Sequence, residues 1–312
     1  MRRKIFLSIF VCLEFIQLSL ALPGEDAYQR AVAAFQQGHF EEVLSLLATL
    51  PLEEAERPAA YNLKAVALME LRRYDEALLA SKRAQRLDSD NVNYIYNAGI
   101  IYLAKRDFPG AENTFRLGIE RFPQSSRLYE GWGEALFAVR RFQEAAVKFQ
   151  KAAELDPNSA SAYVALAKLF STLGDADRSG AAALRAIQLA PESHLACYYY
   201  GKYLLESKGQ PSAGRDYILK SITLSPHFVE GLIMWGAILS GEGRWEEAVK
   251  AYDQALASDP ADSRVYYRLF TTYRKLGRLD KSEWALEQYN RFVDQATAQT
   301  GPTSSTPSST GP

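Results

Sequence analysis

The residues able to do chemistry are few, and none stands at a catalytic or ligand spacing. His39, His194 and His227 lie far apart, at or near expected turns, and none pairs with cysteine or carboxylate as HxxxH or CxxC would. No metal centre follows from such a set. The glycines form no phosphate-cradling loop and no Gly-x-Ser-x-Gly elbow, so neither nucleotide chemistry nor serine hydrolysis is indicated. The carboxylate pairs Glu41-Glu42, Glu53-Glu54 and Glu246-Glu247 fall at helix starts, where negative charge complements the helix dipole rather than serving acid–base catalysis. The reading is of a non-enzyme with no cofactor and no metal.

The elements around these residues are organised by repetition. In the stretch Tyr129 to Pro157, residues Tyr129, Trp132, Gly133 and Leu136 make one helical stripe, and Phe142, Ala145, Phe149 and Ala152 make a second, stopped by Asp156-Pro157-Asn158. Two antiparallel amphipathic helices are implied, with glycine and alanine marking the line of close approach and Trp132 between helices. The unit returns at a step of 34 residues. Phe142 has counterparts in Phe108 and Tyr74, Ala145 in Ala111 and Ala77, and Gly133 in Gly99, Ala65, Ala167, Gly201 and, one residue late, Gly236. Prolines 123, 157, 191, 226 and 260 keep the same beat, with one step of 35.

A 34-residue helix-turn-helix unit of this kind resembles the tetratricopeptide repeat, matched by Trp132-Gly133, Phe142, Ala145, Phe149, Ala152 and Pro157. The resemblance implies an all-α fold, a right-handed α-α superhelix of about eight helix-turn-helix repeats over residues 22–298. It is specific for fold and carries little about process.

Three regions depart from the regular unit. The first repeat is degenerate, because Pro51 ends its second helix early; Pro58 suits the first turn of the next helix. In repeat five, Ala176, Ser179 and Ala183 stand where the regular unit has Phe142, Ala145 and Phe149, so that helix should bury less; drift, a flexible joint and a surface covered by a partner each account for it. Repeat six carries one extra residue within Leu205 to Gln210, and Pro211 should open its second helix. In the last repeat Asp294 stands where proline would, so the final helix should run to about Ala298 and cap the stack.

The ends read differently. Arg2-Arg3-Lys4, an apolar run from Ile5 to Leu22 and Ser19-Leu20-Ala21 form an export signal cut after Ala21, with an uncleaved membrane anchor as the alternative. The protein is then periplasmic or extracellular, with no membrane span after cleavage. Residues 299–312 read as a disordered Ser/Thr/Pro/Gly tail. Removing residues 1–21 takes away three basic residues and Glu14, leaving 33 basic and 36 acidic residues, a net charge of −3, which does not suggest a nucleic-acid partner. Only Cys197 then remains, so an intramolecular disulfide is impossible.

The resemblance assigns the inner surface to the first helix of each pair. Its middle inner positions here are Asn62, Tyr96, Glu130, Val164, Tyr198, Ile233 and Tyr267, and nearby ones add Asn97, Arg127, Lys168, Tyr199, Lys202, Arg264, Arg268 and Arg274. Three tyrosines point into the groove, and the basic and aromatic lining of its C-terminal half suits an extended peptide of acidic character. Some members clamp a terminal carboxylate with Lys and Asn; Asn97 and Arg127 fill two such places, but Asn62 and Val66 stand where lysine and a second asparagine would be. The expected function is an exported protein–protein interaction scaffold, in a bacterial envelope. The alternatives are a glycan-binding module in polysaccharide secretion and an assembly factor for a pilus or outer-membrane machine. Trp132 and Trp235 face neighbouring helices, which disfavours sugar stacking.

Overall fold

Apolar residues recurring every three to four positions, interrupted at each turn, dictate a chain of short helices. The computed structural model describes residues 23–300, and among them are seventeen helices and no strand. The expected leader and residues 301–312 lie outside the described residues. The chain divides into two compact units between Leu189 and Ala190.

The N-terminal unit contains α1 (Pro23–Gln36), α2 (Phe40–Ala48), α3 (Leu52–Ala55), α4 (Pro58–Glu70), α5 (Tyr74–Leu87), α6 (Val92–Lys105), α7 (Phe108–Arg121), α8 (Ser126–Ala138), α9 (Phe142–Leu155), α10 (Ala160–Thr172) and α11 (Ala176–Leu189). The C-terminal unit contains α12 (His194–Glu206), α13 (Pro211–Leu224), α14 (Val229–Gly241), α15 (Trp245–Ser258), α16 (Ser263–Lys275) and α17 (Leu279–Thr300). These make eight antiparallel pairs, α1/α2 and then α4/α5 to α16/α17, with α3 the element that the sequence pattern did not disclose. Pro51 ends α2 as expected, and Leu52 to Ala55 take up one turn of helix before Pro58 opens α4.

One turn design joins the helices of each pair. A residue at positive φ follows the first helix, and the N–H of the very next residue closes back on a carbonyl of the last helical turn: Arg73 to Leu68 (2.8 Å), Arg141 to Leu136 (2.9 Å), Asp175 to Phe170 (2.9 Å) and Arg244 to Leu239 (2.9 Å). In the α12/α13 turn the equivalent bond runs from Gln210 to Leu204 (3.1 Å), one residue longer. The extra residue of repeat six is therefore accommodated in the turn, and Pro211 opens α13 as expected.

Close approach of helices supplies the core of each unit. Phe115 on α7 and Phe149 on α9 are fully buried. A β-carbon on Gly99 would stand 2.3 Å from the Phe115 ring, one on Gly131 2.4 Å from it, and one on Gly133 2.5 Å from Phe149. In the C-terminal unit Tyr252 fills the same place against Gly236, and Gly201 meets the backbone of Gly214. In α11 this role falls to Ala182, Ala183 and Ala186, with Ser179 donating to the Ala167 carbonyl at 2.9 Å. The chain divides directly after this small-residue helix.

Trp132 is only partly buried, contrary to its reading as a residue enclosed between helices. Lys148 Nζ lies 3.8 Å above its ring, and its indole N–H donates to Glu112 Oε1 at 3.3 Å. The helix α17 runs on to Thr300, past the point where other second helices stop.

Candidate functional site

In the N-terminal unit the inner positions of successive first helices are tied to one another. Asn97 Nδ2 on α6 donates to Asn62 Oδ1 on α4 at 2.8 Å, and Asn97 is 7% exposed. Arg127 on α8 donates to Asn93 Oδ1 at 2.6 Å and holds its guanidinium 4.4 Å over the Tyr96 ring. Tyr96 is buried, 8% exposed, and packs against Phe115; burial pushes its phenol up to about 12. Ser161 on α10 donates to Glu130 Oε2 at 2.8 Å, and Lys168 pairs with Glu134 at 3.0 Å while lying 4.4 Å over Phe137.

Two expectations are corrected by this geometry. Tyr96 does not project as an open anchor, because Arg127 and Phe115 cover it. Nor do Arg127 and Lys168 stand free to grip a partner: Arg127 is engaged by Asn93 and Lys168 by Glu134, and Glu130 and Glu134 put two carboxylates one turn apart on α8. Burial raises the Glu130 carboxyl from 4.5 to about 7, helped by the charge of Glu134 and opposed by the Ser161 hydroxyl and Arg127. The polar ladder was legible as pairs one repeat apart, Asn93 with Arg127 and Glu134 with Lys168. Repeat-to-repeat complementarity was the missed signal.

In the C-terminal unit the inner positions keep an aromatic character. Tyr198 on α12 meets Tyr199 and Phe228 edge-on, both at 5.2 Å, and His194 also packs on Phe228 at 5.1 Å. Burial pushes the Tyr198 phenol up to about 12, with Glu230 and Glu206 adding to the shift and Arg264 opposing it. Burial also lowers the His194 imidazole below its ordinary value. Lys202 reaches Glu206 at 3.9 Å. Arg264 is held by Asp262 at 2.6 Å and lies 3.7 Å from Glu230, so it too is engaged rather than open.

Tyr267 on α16 is 49% exposed and backed by Phe270 at 6.0 Å and by Tyr289 of α17 at 5.5 Å. Arg268 and Arg274 are exposed, and neither makes an ion pair with a described residue; the Arg274 guanidinium lies 5.7 Å from the Phe270 ring. Of the residues expected to form a basic and aromatic surface, Tyr267, Arg268 and Arg274 stand open together. Among the described residues no group of three or more His, Cys, Asp or Glu could hold a metal ion. Nor is any described helix long and apolar enough to cross a membrane.

The fold agrees with comparisons to known proteins. Sequence profiles of the tetratricopeptide repeat match residues 28–92, 96–160, 160–193 and 239–299, more than half of the chain. The chain belongs to the tetratricopeptide repeat family. It is 24% identical over 187 residues to mouse RNA polymerase II-associated protein 3, a match covering 60% of this chain and 25% of that protein. It is 24% identical over 216 residues to the TPR repeat-containing protein MJ1428 of Methanocaldococcus jannaschii, covering 67% and 34%. The matches thus span a quarter to a third of the length of these relatives.

Among solved structures it is similar in fold to yeast Tom70, with TM-score 0.61, 17% identity and coverage of 94% of this chain and 68% of that one. A tetratricopeptide repeat protein from Parabacteroides merdae gives TM-score 0.59 at 17% identity, covering 80% and 98%. The chain in the APC/C Cut9-Hcn1 hetero-tetramer structure gives 0.58 at 16% identity, covering 87% and 67%.

Proposed function

We propose that this protein is a non-catalytic scaffold that binds an extended, acidic segment of a partner protein along the inner helix face of its C-terminal unit. The observation that carries this reading is Tyr267, half exposed on an aromatic backing of Phe270 and Tyr289, with Arg268 and Arg274 on the same helix and no carboxylate among the described residues gripping them. An aromatic ring held by other rings loses little freedom on being covered, and a neighbouring free guanidinium selects carboxylate. Tyr198 occupies the same repeat position two pairs earlier, with Ile233 between, so the surface is a line rather than a pocket. A line suits an extended chain.

Export to a bacterial envelope is part of the proposal and rests on Arg2-Arg3-Lys4, the apolar run Ile5 to Leu22 and the small residues ending at Ala21. Intact mass of the secreted protein should begin at Leu22, and a membrane-bound form retaining Met1 would overturn this part. The glycan reading is disfavoured because the faces of Trp132 and Trp235 are approached by Lys148 and Arg215 rather than left open to sugars.

The binding reading is tested with the double variant Tyr198→Ala, Tyr267→Ala. Helicity should match that of the native protein and melting should drop modestly, since Tyr198 packs edge-on against Tyr199 and Phe228, while affinity for a partner isolated from envelope extract should fall by about 2 kcal/mol through loss of the exposed Tyr267 ring. Unchanged affinity in the folded variant would place the partner elsewhere.

A further inference from the structure

The turns within the helix pairs carry a pattern that the inner-face reading does not use. The residue at positive φ is glycine in five of them: Gly38 (78°), Gly174 (77°), Gly209 (60°), Gly243 (76°) and Gly277 (69°). In three consecutive pairs of the N-terminal unit it is arginine instead: Arg72 (61°), Arg106 (65°) and Arg140 (64°). A left-handed backbone crowds the β-carbon of any L side chain, and glycine takes it without that strain. The turn itself makes no demand for arginine, since the closing hydrogen bond is 2.9 Å after Arg106, after Arg140 and after Gly174 alike.

Contacts within the protein do not explain these side chains either. All three are exposed, and none makes a hydrogen bond or ion pair through its side chain with a described residue; Arg140 reaches only the Phe142 ring, at 5.9 Å. The cations next to them are engaged. Arg73 is held by Glu76 at 2.7 Å, Arg141 by Glu144 at 2.6 Å and Glu112 at 2.8 Å, and Lys105 by Asp75. Among the cations of these three turns, Arg72, Arg106 and Arg140 are the ones with no carboxylate partner among the described residues, one for each of the pairs α4/α5, α6/α7 and α8/α9.

We propose that Arg72, Arg106 and Arg140 form a second docking surface, independent of the inner face, for an acidic segment of a partner protein. Neighbouring helices stack about 10 Å apart, and an extended chain advances about 3.3 Å per residue. A carboxylate at roughly every third residue therefore meets successive guanidinium groups, whose planar fork suits carboxylate. The carboxylates paired within the same turns, and a formal net charge of −1 for the chain, set this edge against a uniformly anionic membrane or nucleic acid. Gly38 and Gly174 bound the column, so it is three pairs long.

The test uses the full chain and the triple variant Arg72→Gly, Arg106→Gly, Arg140→Gly. Glycine relieves the strain, so the variant should melt at or above the native temperature. The probe is a fluorescent peptide of about twelve residues with glutamate at every third position and glycine and serine between; the triple variant should bind it at least about tenfold more weakly, with a flatter salt dependence. The Arg→Lys triple variant should retain part of the affinity, and because the three arginines lie in the turns rather than on the inner helix face, loss in the glycine variant reports this surface alone. The proposal is overturned if the native protein does not bind the glutamate peptide, binds its glutamine counterpart equally, or prefers phosphatidylglycerol vesicles. It is also overturned if the triple glycine variant binds as the native protein does.

Discussion

The ring of Phe115 stands 2.3 Å from the place a β-carbon on Gly99 would occupy. The same ring reaches 2.4 Å from such an atom on Gly131, so one side chain of α7 fills the space left by glycines on α6 before it and α8 after it. The repeat spacing of small and aromatic residues is this contact written in sequence. It expresses a packing rule: helix backbones approach closely only where one side chain is absent and another fills the gap.

Gly99→Ala should therefore destabilise the protein by about 1–3 kcal/mol, since the fully buried Phe115 has nowhere to move. Phe115→Ala should cost about 3–5 kcal/mol through the cavity it leaves. The two changes are coupled. In denaturant melts, Gly99→Ala combined with Phe115→Leu should be less destabilising than the sum of the single changes, and strict additivity would mean that the two positions do not compete for space.

This explains how much of the molecule could be read beforehand. Helices, pair boundaries and the contact line follow from local periodicity, from proline and from residues such as Gly99 and Phe115, because each repeat packs on its neighbours. The inner face was less legible. Whether Arg127 or Arg268 is free depends on what lies one repeat away: Asn93 meets Arg127 at 2.6 Å, whereas no described carboxylate pairs with Arg268. Position within the repeat gives a direction for a side chain and does not give its partner. The turn α3 escaped notice because four residues, Leu52 to Ala55, are too few to show a helical period.

Ser221 on α13 occupies the position filled by Ala84, Ala152, Ala186 and Ala255 in other second helices. It is fully buried and its hydroxyl has no hydrogen-bond partner. Ser179 and Ser282, also at close contacts, donate instead to the carbonyls of Ala167 and Phe270. Ser221→Ala removes a desolvated, unsatisfied group and should stabilise the C-terminal unit by about 1 kcal/mol in a thermal melt. A destabilised variant would show that the hydroxyl has an acceptor.

Glu130 makes stability fall as pH rises through neutrality. Its carboxyl is raised from 4.5 to about 7 in the folded chain, first by burial and then by Glu134. Between those values the folded state binds more protons than the unfolded one, so the slope of unfolding free energy with pH is negative. The penalty is absent below about pH 4.5 and complete above about pH 7. Glu130→Gln keeps an acceptor for the Ser161 hydroxyl, which donates at 2.8 Å, and removes the charge. The variant should match the native protein near pH 4.5 and exceed it at pH 8 by about 1–2 kcal/mol, less than the full shift implies because the side chain is only partly buried. Denaturant melts of both proteins at the two pH values check it, and an equal difference at both would show that Glu130 does not titrate between them.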